Sequence, residues 1–172
     1  MIQQLGRTMP ALSLQPRTPS VGWAQVVRSQ DDGRSGANIP LSRGRILIVE
    51  DEYFISLDAE DALSSAGYTV VGIATTAAEA VEMAEAERPD MVLMDIRLDG
   101  SRDGIDAAAE ILSRLGIPSL FATAHADAGT RARGDNAASP LGWLSKPYTH
   151  EEVAAAVAAA VSEARRRALP SC

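Results

Sequence analysis

The chain has 172 residues, a hydrophobic fraction of 46% and a net charge of −7, which suits one globular domain with an appendage. The charge is uneven: residues 1–44 carry five Arg against two Asp, a net of +3, and residues 45–172 carry 11 basic and 21 acidic groups, a net of −10. So acidic a domain repels a phosphate backbone, which argues against direct nucleic acid binding, and the longest apolar run, residues 153–161, falls far short of the ~20 residues that span a bilayer.

Residues 1–44 contain Pro10, Pro16, Pro19 and Pro40, scattered Arg and Ser, and the linker-like stretch Asp31-Asp32-Gly33-Arg34-Ser35-Gly36. They read as a disordered extension. The lack of acid in residues 1–30 also suits targeting, but no apolar signal core or amphipathic helix supports it. A start codon placed too early would leave the same composition.

From Arg45 onward strands and helices alternate. The first strand is predicted over 45–49, and a helix over 53–66 turns Ile55, Ala59, Ala62, Leu63 and Ala66 inward before Gly67 caps it. A second strand covers 68–73. Thr76-Ala77-Ala78-Glu79 forms a capping box for a helix with Ala80, Val81 and Ala84 inward, closed by Pro89. Strand three is 91–94. The third helix opens at Asp103 or Gly104, buries Ile105, Ala108, Ala109 and Leu112, and ends at Gly116. Strand four is 119–122. Segment 126–140 is the weakest element, because Gly129 and Gly134 each cost ~1 kcal/mol in a helix, and only a short mobile helix is expected there. Strand five is 141–145, and a second capping box, Thr149-His150-Glu151-Glu152, opens a last helix reaching about Ala168. Five β-α units with right-handed crossovers imply a doubly wound α/β domain over 45–168, a parallel sheet with helices on both faces, and a short tail at 169–172. Cys172, the only cysteine, is the last residue, so no intrachain disulfide forms and a cytoplasmic location is expected.

In such a sheet, ligands bind beyond the carboxyl ends of the strands. Those ends carry Glu50 and Asp51, Asp95, Thr123, and Lys146 with Pro147. Each has an ordinary explanation by itself. Asp95 suits a turn or N-cap, Glu50-Asp51 a helix cap, Thr123 a strand end and Lys146 a solvated surface. Their coincidence on one rim is what argues for chemistry. Asp51, Asp95 and a backbone carbonyl, most simply that of Arg97, would give Mg²⁺ its oxygen ligands, with Glu50 holding a bound water. Lys146 and the cation would offset the repulsion of three carboxylates and neutralise charge during phosphoryl transfer. Asp95 would be the nucleophile, forming an acyl phosphate whose oxygens Thr123 and Lys146 bind.

Arg45-Ile46-Leu47-Ile48-Val49-Glu50-Asp51-Glu52, Leu93-Met94-Asp95-Ile96, Ala122-Thr123-Ala124 and Lys146-Pro147 together resemble a response regulator receiver domain over roughly residues 44–166. The resemblance implies a flavodoxin-like sheet of order 2-1-3-4-5 with five helices, like the chemotaxis receiver. It implies that Asp95 accepts a phosphoryl group from a sensor histidine kinase or a histidine phosphotransferase, in a two-component system or phosphorelay. Glu50 and Asp51 match the family's acidic pair, Thr123 its switch hydroxyl and Lys146 its lysine, with a cis bond to Pro147. Trp143 stands where the family commonly has Tyr or Phe as a rotameric switch; the indole either acts there less readily or simply covers the core edge. The loop 98–104 is longer than usual and lacks the common proline. Phe121-Ala122-Thr123 matches the start of a subgroup's Phe-Ala-Thr-Gly motif, but Ala124 replaces the Gly and Ala126 the following Tyr. Arg97 and His125 occupy positions flanking the path of the hydrolytic water and are expected to tune phosphoryl lifetime.

No effector domain is expected after Arg165-Arg166-Arg167, whose charges suit a helix C-terminus. Output is therefore expected through contact with a downstream protein, homodimerisation across helix four, strand five and helix five, or competition for phosphoryl groups. Segment 126–140 is the expected bistable element. The chain is expected not to be an enzyme beyond its own phosphorylation and dephosphorylation. The rival is a Mg²⁺-dependent phosphatase of haloacid dehalogenase type, which needs a second Asp two residues after the nucleophile. Arg97 stands there, and Asp99 is four residues away.

Overall fold

The computed structural model describes residues 42–168. The expectations for a disordered extension and for the tail at 169–172 therefore fall outside the described residues, apart from Ser42, Arg43 and Gly44. Those three are bonded to the domain: Arg43 N–H donates to the Gly67 carbonyl at 3.0 Å, and Arg165 donates to the Arg43 carbonyl at 2.8 Å.

Ten elements alternate: β1 (Arg45–Val49), α1 (Tyr53–Ser65), β2 (Thr69–Ala74), α2 (Ala77–Glu87), β3 (Met91–Asp95), α3 (Gly104–Leu115), β4 (Ser119–Thr123), α4 (Ala128–Ala138), β5 (Gly142–Ser145) and α5 (His150–Ala168). The strands form one parallel sheet of order β2-β1-β3-β4-β5. Alternation along the inner strands divides the core. Leu47, Val49, Val92, Met94 and Phe121 pack beneath α2, α3 and α4, and Ile46, Ile48, Leu93, Leu120 and Ala122 pack beneath α1 and α5. No described helix is long and apolar enough to cross a membrane.

Local chemistry explains most boundaries. The capping box at α5 closes reciprocally, with Glu152 N–H on Thr149 Oγ1 at 3.2 Å and Thr149 N–H on Glu152 at 2.8 Å. At α2 only half of the expected box forms. Thr76 accepts from Glu79 N–H, but the Glu79 carboxylate reaches past it to the N–H and hydroxyl of Thr75. The face of α3 also differs from the expected one. Ile105, Ala107, Ala108 and Ile111 are buried, while Ala109 and Leu112 are only half-buried. Asp103 caps this helix by accepting from the N–H groups of Ile105 and Asp106, and in that phase Ile111, not Leu112, completes the stripe toward α2 and α4. α4 is a full helix with Asp127 as its N-cap.

Candidate functional site

The sheet reverses its winding between β1 and β3, and the carboxyl ends of these strands carry Glu50, Asp51 and Asp95. One carboxylate oxygen from each lies within 4.8 Å of the others. Glu50 is 4% exposed and Asp95 6%. From the end of β5, Lys146 donates to Asp95 Oδ2 at 2.7 Å and also to Glu50. Its side chain is 8% exposed, so all three charges are buried together.

Burial pushes the Glu50 carboxyl above its ordinary range, against the pull of Lys146. Burial also acts to lower the Lys146 pKa, but its hydrogen bonds to Asp95 and Glu50 prevail and raise it. Burial, with the nearby charges of Glu50, Asp58 and Asp95, raises the Tyr148 phenol. With Asp51 included, three carboxylates face one ammonium, a surplus of negative charge lined with hard oxygen donors. That donor set fits a divalent cation such as Mg²⁺.

The remaining predicted residues are placed less uniformly. Arg97 directly follows the acidic strand end, and its N–H donates to Asp95 Oδ1 at 3.1 Å while its side chain is exposed. Thr123 is 3% exposed. Its hydroxyl donates to the His125 carbonyl and accepts the His125 N–H, each at 3.3 Å, so it is bound to the loop and not to Asp95. The His125 side chain itself is exposed. Trp143 lies outside the acidic cluster, packed against Phe121 with ring centroids 4.9 Å apart. The bond between Lys146 and Pro147 is cis, as the resemblance implied.

One contributor escaped the sequence reading. Gly104 was legible only as a helix start, but a Cβ on it would fall 1.8 Å from the Asp95 carbonyl oxygen. Its N–H donates to the Ile96 carbonyl at 2.9 Å. The loop after Asp95 can close on itself only because this residue has no side chain. The single available signal was a glycine at the first turn of a helix, where Ala would normally be better.

Comparison with known proteins agrees with this geometry. A family model described as response regulator receiver domain matches residues 46–158. The transcriptional regulatory protein PdtaR of Mycobacterium tuberculosis is 42% identical over 123 residues, covering 70% of this chain and 58% of PdtaR. The phyllosphere-induced regulator PhyR of Methylorubrum extorquens is 35% identical over 126 residues, covering 71% and 46%. The receiver domain of a modulated diguanylate cyclase from Desulfovibrio desulfuricans superposes with a TM-score of 0.67 at 31% identity, covering 72% of this chain and 98% of that domain. The chain spans about half the length of the curated relatives it matches.

Proposed function

Since the chain belongs to the response regulator receiver domain family of two-component signalling, we propose that it is a phosphoacceptor whose acceptor is Asp95. The observation that carries this reading is the buried Asp95 carboxylate, held by Lys146 and flanked by Glu50 and Asp51 at the β1–β3 switch point. In the proposed step, an Asp95 oxygen attacks the phosphorus of a phosphohistidine. The P–N bond breaks as the new P–O bond forms, and the histidine leaves with the electron pair.

Lys146 then turns from the carboxylates toward a phosphoryl oxygen. The Thr123 hydroxyl gives up the His125 carbonyl and donates to a second oxygen. Mg²⁺ bound by Asp51, Asp95 and the Arg97 carbonyl, with Glu50 holding a water, would neutralise charge on the transferring group. Arg97 and His125 flank the loop and would set the lifetime of the acyl phosphate. Under this reading the chain is not an enzyme acting on other substrates.

A protein donor suits the surface beside the acceptor. Tyr53 and Phe54 of α1 are 66% and 82% exposed. Phe54 borders a cavity of about 320 Å³ shared with Ile55, Asp58, Lys146, Pro147 and Tyr148. A histidine kinase or phosphotransferase helix would seat there. Output would pass to a downstream protein, or to a second copy, across α4, β5 and α5.

The test is incubation with a small phosphodonor and Mg²⁺, followed by intact mass and release of phosphate. One labile phosphoryl group per chain, absent in Asp95→Asn, is expected. Continuous multi-turnover hydrolysis of phosphate monoesters would instead favour a phosphatase.

A further inference from the structure

α4 has little apolar surface to hold it. Of its 11 residues only Gly134 and Ala138 are buried, so the packing that fixes most helices contributes little here. α3 is its packing neighbour, and toward the sheet three α4 residues meet one aromatic ring. The Arg131 guanidinium lies 5.1 Å from the centroid of the Trp143 ring. Asp135 accepts the Trp143 Nε1–H at 3.0 Å. Gly134 lies against the indole edge, where a Cβ would stand 2.8 Å from Cη2 and 2.9 Å from Cζ2. Positions 131, 134 and 135 share one helix face. Beneath, the indole rests on Phe121. A second tie, Arg133 to Asp103, joins α4 to the N-cap of α3.

A side chain that swings between two rotamers needs a free edge and no fixed polar partner. Trp143 has neither, since its N–H is bonded to α4 and its outer edge is seated on Gly134. We propose that Trp143 is a fixed strut on which α4 sits, with Gly134 the residue that admits it, so that helix and indole move as one body. The seating is a property of the unmodified protein, and only its use in signalling rests on the phosphoacceptor reading. The route to it is short. Thr123 leaving the His125 carbonyl frees the loop that runs into Asp127, the α4 N-cap, and the helix then shifts together with the ring it grips.

The experiment uses the full chain with Trp23→Phe, so that Trp143 is the only tryptophan and is excited selectively at the red edge, and reads amide exchange over residues 128–138 together with quenching of the indole by acrylamide. Asp135 is exposed, so Asp135→Ala removes the bond without disturbing the core. In it, exchange across α4 is expected to rise about tenfold, the upper range for one lost hydrogen bond, with β1 and β3 unchanged. Gly134→Ala is expected to raise quenching as the ring is displaced. Unchanged α4 exchange in Asp135→Ala, or unchanged quenching in Gly134→Ala, would overturn the strut. After phosphorylation, verified by mass, α4 exchange is expected to change while quenching of Trp143 does not. A rise in quenching, the ring swinging out by itself, would overturn it too. A chain that gains no phosphoryl mass contradicts the phosphoacceptor reading and leaves the strut to be decided by the unmodified variants.

Discussion

Lys146 Nζ stands 2.7 Å from Asp95 Oδ2, joining the end of β5 to the end of β3 through a bond that also takes in Glu50. The three groups are nearly sealed from water, so each charge depends on the other two. Lys146→Met is expected to destabilise the protein by ~3–5 kcal/mol at neutral pH, because it leaves two buried carboxylates facing each other. Urea denaturation checks this, and part of the loss is expected to return on adding Mg²⁺.

The acidic cluster itself makes a second prediction. A cation that binds only the folded state should raise the thermal midpoint with the logarithm of its concentration above Kd, by the equivalent of ~2.7 kcal/mol at a hundredfold excess over its Kd. Asp51→Asn removes one of the three carboxylates and is expected to abolish most of that rise. A midpoint insensitive to Mg²⁺ in the unsubstituted chain would count against the metal site.

Gly104 offers a test that reaches Asp95 from behind. In Gly104→Ala the new methyl would collide with the Asp95 carbonyl oxygen, which belongs to rigid backbone. Overpacking of this kind costs ~1–3 kcal/mol. The expected outcome is a lower urea midpoint together with slower phosphorylation by a small donor.

The exposed rim separates two kinds of donor. Phe54 is 82% exposed, so Phe54→Ala is expected to leave stability and small-donor phosphorylation nearly unchanged. Transfer from a phosphohistidine protein is expected to slow by tenfold or more, about 1.4 kcal/mol, as for an aromatic interface anchor.

A pH effect comes from a pair beside the same cavity, which Asp58 lines. His150 Nε2 lies 2.7 Å from Asp58 Oδ1. That hydrogen bond, then the charges of Asp58 and Asp61, raise the imidazole above 6.5. A raised folded-state pKa means stabilisation that is complete below the unfolded value and is lost as pH climbs through the folded one. The thermal midpoint is expected to fall slightly as pH rises above the ordinary imidazole value and through the raised one. The drop is small because the two side chains are 51% and 54% exposed, and most of it should be lost in Asp58→Asn, which leaves only Asp61 acting on the imidazole.

Legibility in the sequence follows a physical divide. Glu50, Asp51, Asp95, Thr123 and Lys146 could be read because each ends an apolar strand, and parallel strands gather such ends on one rim whatever the packing. The same logic made the five β-α units and the parallel architecture visible. What depended on contacts across the fold was not visible. Gly104 looked like a helix start because its neighbour, the Asp95 carbonyl, is defined only once the loop folds back. The contacts of Trp143 with Gly134 and Asp135 likewise exist only once α4 lies over the sheet. The buried face of α3 was offset because Ala and Leu near a helix boundary leave its phase to the cap and to both flanking helices.

The most direct measurement is the position of the acyl phosphate itself. The chain would be phosphorylated by a small donor with Mg²⁺, reduced with borohydride and mapped by peptide mass, since an aspartyl phosphate is converted to homoserine while phosphoserine, phosphothreonine and phosphohistidine are not. Homoserine is expected at position 95 and nowhere else, and none in Asp95→Asn. Homoserine at another aspartate, or a phosphate that survives reduction on Thr123 or His125, would contradict Asp95 as the acceptor.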